Sequence, residues 1–191
     1  MRDPFLITTP TIINVSGGRT SALMLRRYLD ANGGRLPAET HAVFANVGRE
    51  RPETLDFLVR CAEAWGVDLR WIERTPGGGF REVTPETASR DGEPLATLFR
   101  ERRYLSNPVT RFCTADGKIQ TARDFMRARG YDHWTSAVGL RYDEPSRVHK
   151  LRARDAGQWD VACPLYDAKV TKGHVAEFWS RQPFDLALKS W

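Results

Sequence analysis

The chain has 191 residues, enough for one domain with a sizeable core. Its 41% hydrophobic and 28% charged content is ordinary for a globular protein, and no apolar run reaches the length of a membrane span. The net charge of +5, carried mostly by arginine, fits a polyanionic partner such as a nucleotide, though a solvated basic surface explains it more simply than a nucleic-acid groove.

A β-branched run, Thr11 to Val15, predicts a strand ending in Ser16-Gly17-Gly18. A helical pattern follows, with Ala22, Leu23, Leu25 and Leu29 on the apolar side, and it stops at Asn32-Gly33-Gly34. Strand, glycine turn and helix together present backbone N–H groups and a positive helix end to an anion, and the missing Cβ atoms let the main chain approach it. Ser16, Thr20 and Ser21 add hydroxyl donors. Such a turn is also common between a core strand and a surface helix that bind nothing. Neither a Walker-type GxxxxGKS/T nor a GxGxxG opening a helix occurs.

Thr40 to Asn46 reads as a buried strand, and Pro52 opens a helix to about Trp65 with Glu53 at its positive end. Gly66 closes that helix, and Leu69 to Glu73 is a third strand. Residues 75–110 read as an irregular, mobile excursion with one short helix near Leu95 to Arg102. A helix from about Thr114 to Arg129 follows, then a strand from His133 to Leu140. Residues 141–158 read as a charged loop, Val161 to Leu165 as a short last strand, and Thr171 to Gln182 as the last helix.

This alternation predicts an α/β fold: a three-layer sandwich around a mainly parallel, five-stranded twisted sheet of Rossmann-like kind, forming one domain over residues 1–191. Ligands of such sheets lie beyond the carboxyl ends of the strands. Polar segments fall there: Ser16 to Ser21, Asn46 to Thr54 and Gly139 to Arg147.

Three cysteines, Cys61, Cys113 and Cys163, without a Cys-x-x-Cys pair argue against a disulfide framework and against a four-cysteine zinc or iron–sulfur site within this chain. The histidines His41, His133, His149 and His174 show no ligand spacing, so no metal ligands are assigned. Cys113 lies at a helix start beside Arg111 and Lys118, where a thiol pKa should fall; it is a candidate reactive thiol or a small packed residue in equal measure. Cys61 reads as core. The N-terminal segment lacks signal-peptide features, so the expected location is the cytosol, with no membrane contact.

SGGRTS (Ser16 to Ser21) resembles the PP-loop, SGGxDS, of the N-type ATP pyrophosphatases. NVGRERPETLDF (Asn46 to Phe57) resembles the DTGxxFPET segment of phosphoadenosine phosphosulfate (PAPS) reductases, and GLRYDEPSRV (Gly139 to Val148) their GxRxxES segment. RFCTADGKI (Arg111 to Ile119) and PLYDAKVTKGHVAEFW (Pro164 to Trp179) resemble later blocks of short phage and bacterial PAPS-reductase-like proteins. Order and spacing together make the resemblance specific, and it covers most of the chain.

The resemblance implies that Ser16, Gly17, Gly18, Arg19, Thr20 and Ser21 hold the phosphate end of an adenine nucleotide. Asn46 and Gly48 would line the adenosine side, and Glu53 and Thr54 would also belong to the nucleotide-binding residues. Gly139, Arg141, Glu144 and Arg147 would face the phosphates, with arginine forks binding phosphate oxygens in pairs. Cys113, Lys118, Arg141 and Arg147 would be the catalytic group. Thr20 and Asn46 stand where the family has aspartate, and no ECGLH-type tail cysteine follows Trp179.

Three functions follow as expectations. One is an enzyme that splits ATP between the α- and β-phosphates, with Mg²⁺ on the phosphate oxygens, to adenylate an acceptor. A second is PAPS-dependent sulfur or redox transfer through Cys113 with thioredoxin. A third is a nucleotide-binding subunit of a nucleic-acid modification or defence system. The pattern expects no iron–sulfur cluster within this chain and allows a homo-oligomer.

Overall fold

A computed structural model describes residues 3–105, 107, 110, 112–153 and 157–187. Among them a six-stranded sheet forms: β1 (Thr11–Asn14), β2 (Thr40–Asn46), β3 (Leu69–Arg74), β4 (Phe80–Val83), β5 (Trp134–Val138) and β6 (Trp159–Ala162). The spatial order is β4-β3-β2-β1-β5-β6, parallel throughout except for antiparallel β4.

The expected α/β sandwich is therefore present, with one strand more than the five expected. Ile13, Ala42, Phe44 and Trp71 point to one face of the sheet and pack under α1 (Arg19–Ala31), α2 (Pro52–Trp65) and α8 (Lys172–Ser180). Ile12, Val43 and Ile72 alternate to the other face and meet Ala122, Phe125 and Met126 of α5 (Thr121–Ala128). Burial on both faces is why β1 and β2 read as continuous apolar runs.

The chain winds from β1 toward β3 in one direction and from β1 to β5 and β6 in the other. The order reverses between β1 and β5, and such a switch point opens a crevice at the strands' carboxyl ends.

The segment 75–110 is more regular than expected. Its β3–β4 hairpin turns through Gly77, Gly78 and Gly79, all at positive φ, and α3 (Glu93–Arg102) follows. β4 carries only Phe80 and Val83 as half-buried apolar residues, with Arg81 and Glu82 exposed, so its alternation was too short to read. The charged segment 141–158 contains a helix, α6 (Pro145–Arg152), in which only Val148 is buried, leaving almost no apolar periodicity. The last strand ends at Ala162, because Pro164 lacks a ladder donor and opens the short α7 (Pro164–Asp167) instead.

The helix expected from Thr114 is interrupted. α4 (Phe112–Thr114) runs into a π-helical segment, Ala115–Gln120, before α5 begins. The buried Thr121 hydroxyl spans the Asp116 and Gly117 carbonyls, each at 3.2 Å, which supports the widened turn. Among the described residues no helix is long and apolar enough to cross a membrane.

Candidate functional site

Val15 continues β1 by donating to the Val43 carbonyl at 2.9 Å, and the chain then turns through Ser16, Gly17 and Gly18 into α1. Gly17 has φ +81°, and a Cβ there would lie 2.4 Å from Thr54 Cγ2. The turn therefore needs glycine both for its backbone and for its contact with the first turn of α2. Gly18 supplies no side-chain cap to α1, so no side chain at the cap position satisfies the first-turn amides of α1.

Ser21 holds the turn in shape. Its Oγ accepts from the Ser16 backbone N–H and Ser16 Oγ, and donates to the Gly18 carbonyl, all at 3.0 Å. Ser21 is buried and Ser16 is exposed, so Ser16 is the hydroxyl that faces outward.

The end of β5 lies directly against this turn. A Cβ on Gly139 would come within 3.1 Å of Ser21 Cα. Two residues on, Arg141 Nη1 donates to Thr20 Oγ1 at 3.2 Å. Arg141 also pairs with Asp143 through Nε at 3.0 Å and with Glu144 through Nη2 at 3.3 Å, and its backbone N–H donates to the same Glu144 at 3.1 Å. The other Glu144 oxygen accepts from Arg147, whose side chain is 65% exposed. The serine-glycine turn and the arginine segment thus lie side by side at the switch point. Asp143 and Glu144 hold Arg141 there, and Glu144 also holds Arg147.

Other expected site residues fall elsewhere. The Arg19 guanidinium turns away from the loop and makes a fork with Asp185, at 2.6 Å and 2.5 Å. Trp179 Nε1 also donates to the Arg19 carbonyl at 3.0 Å. Arg19 therefore ties the loop to the C-terminal segment.

Asn46 is buried with its whole amide committed. Nδ2 donates to Glu73 Oε1 at 2.7 Å and to the Ser89 carbonyl at 2.8 Å, while Oδ1 accepts from the Gly48 N–H at 3.0 Å. Gly48, at φ +76°, lies so close to Gly92 and Ser89 that a Cβ would meet both at 2.9 Å. Asn46 and Gly48 brace the loop after β2 rather than line an open surface. Glu53 sits half-buried in the first turn of α2, and Thr54 is packed on Gly17.

The partner of this brace, Glu73, was not anticipated. Its carboxylate is fully buried and accepts from Asn46, from the Ser89 N–H at 2.6 Å and from Arg81 at 2.7 Å and 3.1 Å. A carboxylate ending a buried strand is the one signal that pointed to it.

Lys118 lies within the π segment and pairs with Glu50 at 2.9 Å, which joins that segment to the loop after β2. Cys113 is half-exposed at the head of the segment, and Arg111 lies outside the described residues. The other two thiols are buried in separate places. Burial pushes the Cys61 thiol up to about 12. Burial also raises Cys163, with Asp167 adding to the rise and Arg152 opposing it. The three cysteines thus occupy different parts of the fold, and this donor set does not assemble a cluster site. Among the described residues no group of three or more His, Cys, Asp or Glu side chains is placed to hold a metal ion.

No family model matches the chain. It is 25% identical over 186 residues to the uncharacterized nin region protein ORF290 of Escherichia phage lambda, across 93% of this chain and 61% of that protein. Its fold is similar to a solved structure of the U34-tRNA thiolase NcsA from Methanococcus maripaludis with its 4Fe-4S cluster. That match has a TM-score of 0.56 at 17% identity and covers 94% of this chain and 59% of the thiolase. The chain therefore spans about three fifths of the length of each. The likeness to the thiolase is one of fold.

Proposed function

We propose that this chain binds ATP at the switch point and activates an acceptor by adenylation. The observation that carries the reading is the Arg141–Thr20 contact of 3.2 Å, which joins the β5 end to the uncapped start of α1. Phosphate oxygens would take the first-turn amides of α1 and the Ser16 hydroxyl. Arg141 and Arg147 would exchange their contacts with Glu144 and Asp143 for the phosphates, where fork geometry and full negative charge favour them.

In the reaction an acceptor oxygen attacks the α-phosphorus, the α–β bridging bond breaks, and pyrophosphate leaves with that electron pair. Positive charge at Arg141 and Arg147 stabilises the departing pyrophosphate. Mg²⁺ bound with the nucleotide would neutralise phosphate oxygens. The fold shared with a tRNA thiolase favours a nucleic-acid acceptor.

A second reading, sulfur or redox transfer through Cys113, has one observation in its favour: Cys113 is half-exposed while Cys61 and Cys163 are buried. PAPS would then replace ATP and thioredoxin would be the reductant.

The two readings separate by products. ATP labelled at the α-phosphate, incubated with the protein, Mg²⁺ and bulk RNA or DNA, should yield AMP-linked product and pyrophosphate. ADP as the product would overturn the adenylation reading. Sulfite release from PAPS, lost in Cys113→Ser, would establish the second.

A further inference from the structure

Away from the proposed nucleotide site, a hollow of about 460 Å³ opens beside the β3–β4 turn. Arg74, Arg102 and Arg123 line it, together with Asp116 and Gln120 of the π segment and the Gly77–Gly79 turn. A Cβ on Gly77 or Gly78 would meet nothing within 4 Å, so the glycine rim leaves the mouth open.

Two of the three guanidinium groups are matched by carboxylates. Arg74 pairs with Glu101 at 2.7 Å, and Arg102 pairs with Asp116. Arg123 differs. Its nearest carboxylate contact is 3.5 Å, to Asp124 Oδ1, and that oxygen already accepts from Gln120 at 3.0 Å. Arg123 Nε is shut off from solvent and has no hydrogen-bond partner among the described residues. A buried donor left unsatisfied is rare in a native fold and marks a place where an absent acceptor fits.

We propose that this hollow is a second phosphate site, holding a nucleotide phosphate on the Arg123 fork. An oxyanion accepts from Nε and an Nη of one guanidinium together, which is what Arg123 lacks. Asp116 and Asp124 beside it accept from sugar hydroxyls or base amino groups, so a nucleotide suits the lining better than a bare anion. The site shares no residue with the proposed nucleotide site, so the proposal stands whether or not ATP binds there. The π segment lies between this hollow and the loop after β2: Asp116 and Gln120 line the hollow, while Lys118 reaches Glu50.

The test follows the Arg123 Nε–H signal in a ¹⁵N-resolved spectrum, identified by its loss in Arg123→Lys. Inorganic phosphate, uridine 5′-monophosphate and a short oligouridylate are titrated in turn. The proposal expects the signal to shift with phosphate and with at least one of the uridine probes, and to do so equally in Arg141→Ala. Tighter binding of the monophosphate assigns a free nucleotide as the source, and tighter binding of the oligomer assigns a nucleic-acid backbone. Affinity for the tighter probe, measured by calorimetry on both proteins, should fall about tenfold or more in Arg123→Lys, because lysine keeps the charge but loses the fork. An unmoved signal with all three probes, or equal affinity in Arg123→Lys, would overturn the proposal. Unchanged circular dichroism of Arg123→Lys keeps the comparison valid.

Discussion

Replacing Gly17 by alanine tests the serine-glycine turn through its packing. The backbone there sits at φ +81°, where an L side chain costs about 1–2 kcal/mol. The new Cβ would also stand 2.4 Å from Thr54 Cγ2, and relieving such an overlap in a packed site costs a further ~1–3 kcal/mol. Gly130 is the control: its φ is +84°, but an added Cβ meets nothing within 4 Å, so only the backbone cost applies. Both substitutions restrict the unfolded chain alike, so their difference isolates the overlap. Denaturant unfolding should place Gly17→Ala about 1–3 kcal/mol below Gly130→Ala, with equal m-values. Adding Thr54→Ser, which removes Cγ2 and keeps the hydroxyl, should recover most of that gap. Equal losses at Gly17 and Gly130, or no recovery with Thr54→Ser, would refute the contact between the turn and α2.

Glu73→Ala should destabilise the fold by about 2–6 kcal/mol, because it orphans the Asn46 amide and the Ser89 N–H at about 1–3 kcal/mol each. A loss below about 0.5 kcal/mol in denaturant unfolding would contradict this brace, since that is the range of an uninvolved surface site. Iodoacetamide on the native protein at pH 8 should modify Cys113 well ahead of Cys61 and Cys163. Cys61 is 1% exposed and its thiol is raised to about 12, which leaves a thiolate fraction on the order of 1 in 10⁴. Peptide mapping that finds Cys61 first would overturn that ordering. Burial lowers the pKa of His41, packed edge-on to Phe125, and the charges of Arg129 and Arg70 lower it further against Asp68 and Glu82. The unfolded chain therefore binds this proton more readily, so the folded state loses stability as pH falls below about 6.5. His41→Asn should lose less stability than the parent between pH 7.5 and pH 5, and an equal loss would remove His41 as the cause.

Where burial on both faces wrote long apolar runs, the fold was legible. Thr40–Asn46 and Pro52–Trp65 have the bounds expected of them, and α1 begins at the glycine turn that marked it. The glycine turn and the arginine segment were also legible as neighbours, because a parallel sheet brings successive strand ends together. What stayed hidden depends on side-chain direction. Arg19 is adjacent in sequence to the serine-glycine turn, yet its guanidinium faces Asp185, 166 positions away. Asn46 looked like a ligand-facing polar residue, yet a buried carboxylate from the next strand uses its amide. The π segment left no mark in the apolar pattern because its support is one threonine hydroxyl and one glycine packed on Val47 and Leu98.

The central claim is that the start of α1 and the end of β5 form one hollow for ATP. Calorimetric titration of ATP with Mg²⁺ into the parent protein, Arg141→Ala and Arg19→Ala measures it directly. Losing one charge-assisted contact should weaken binding about 10–100-fold in Arg141→Ala. Arg19→Ala, whose guanidinium lies on Asp185, should bind within about twofold of the parent. Heat of binding that is absent from the parent, or that is unchanged in Arg141→Ala, would contradict the account.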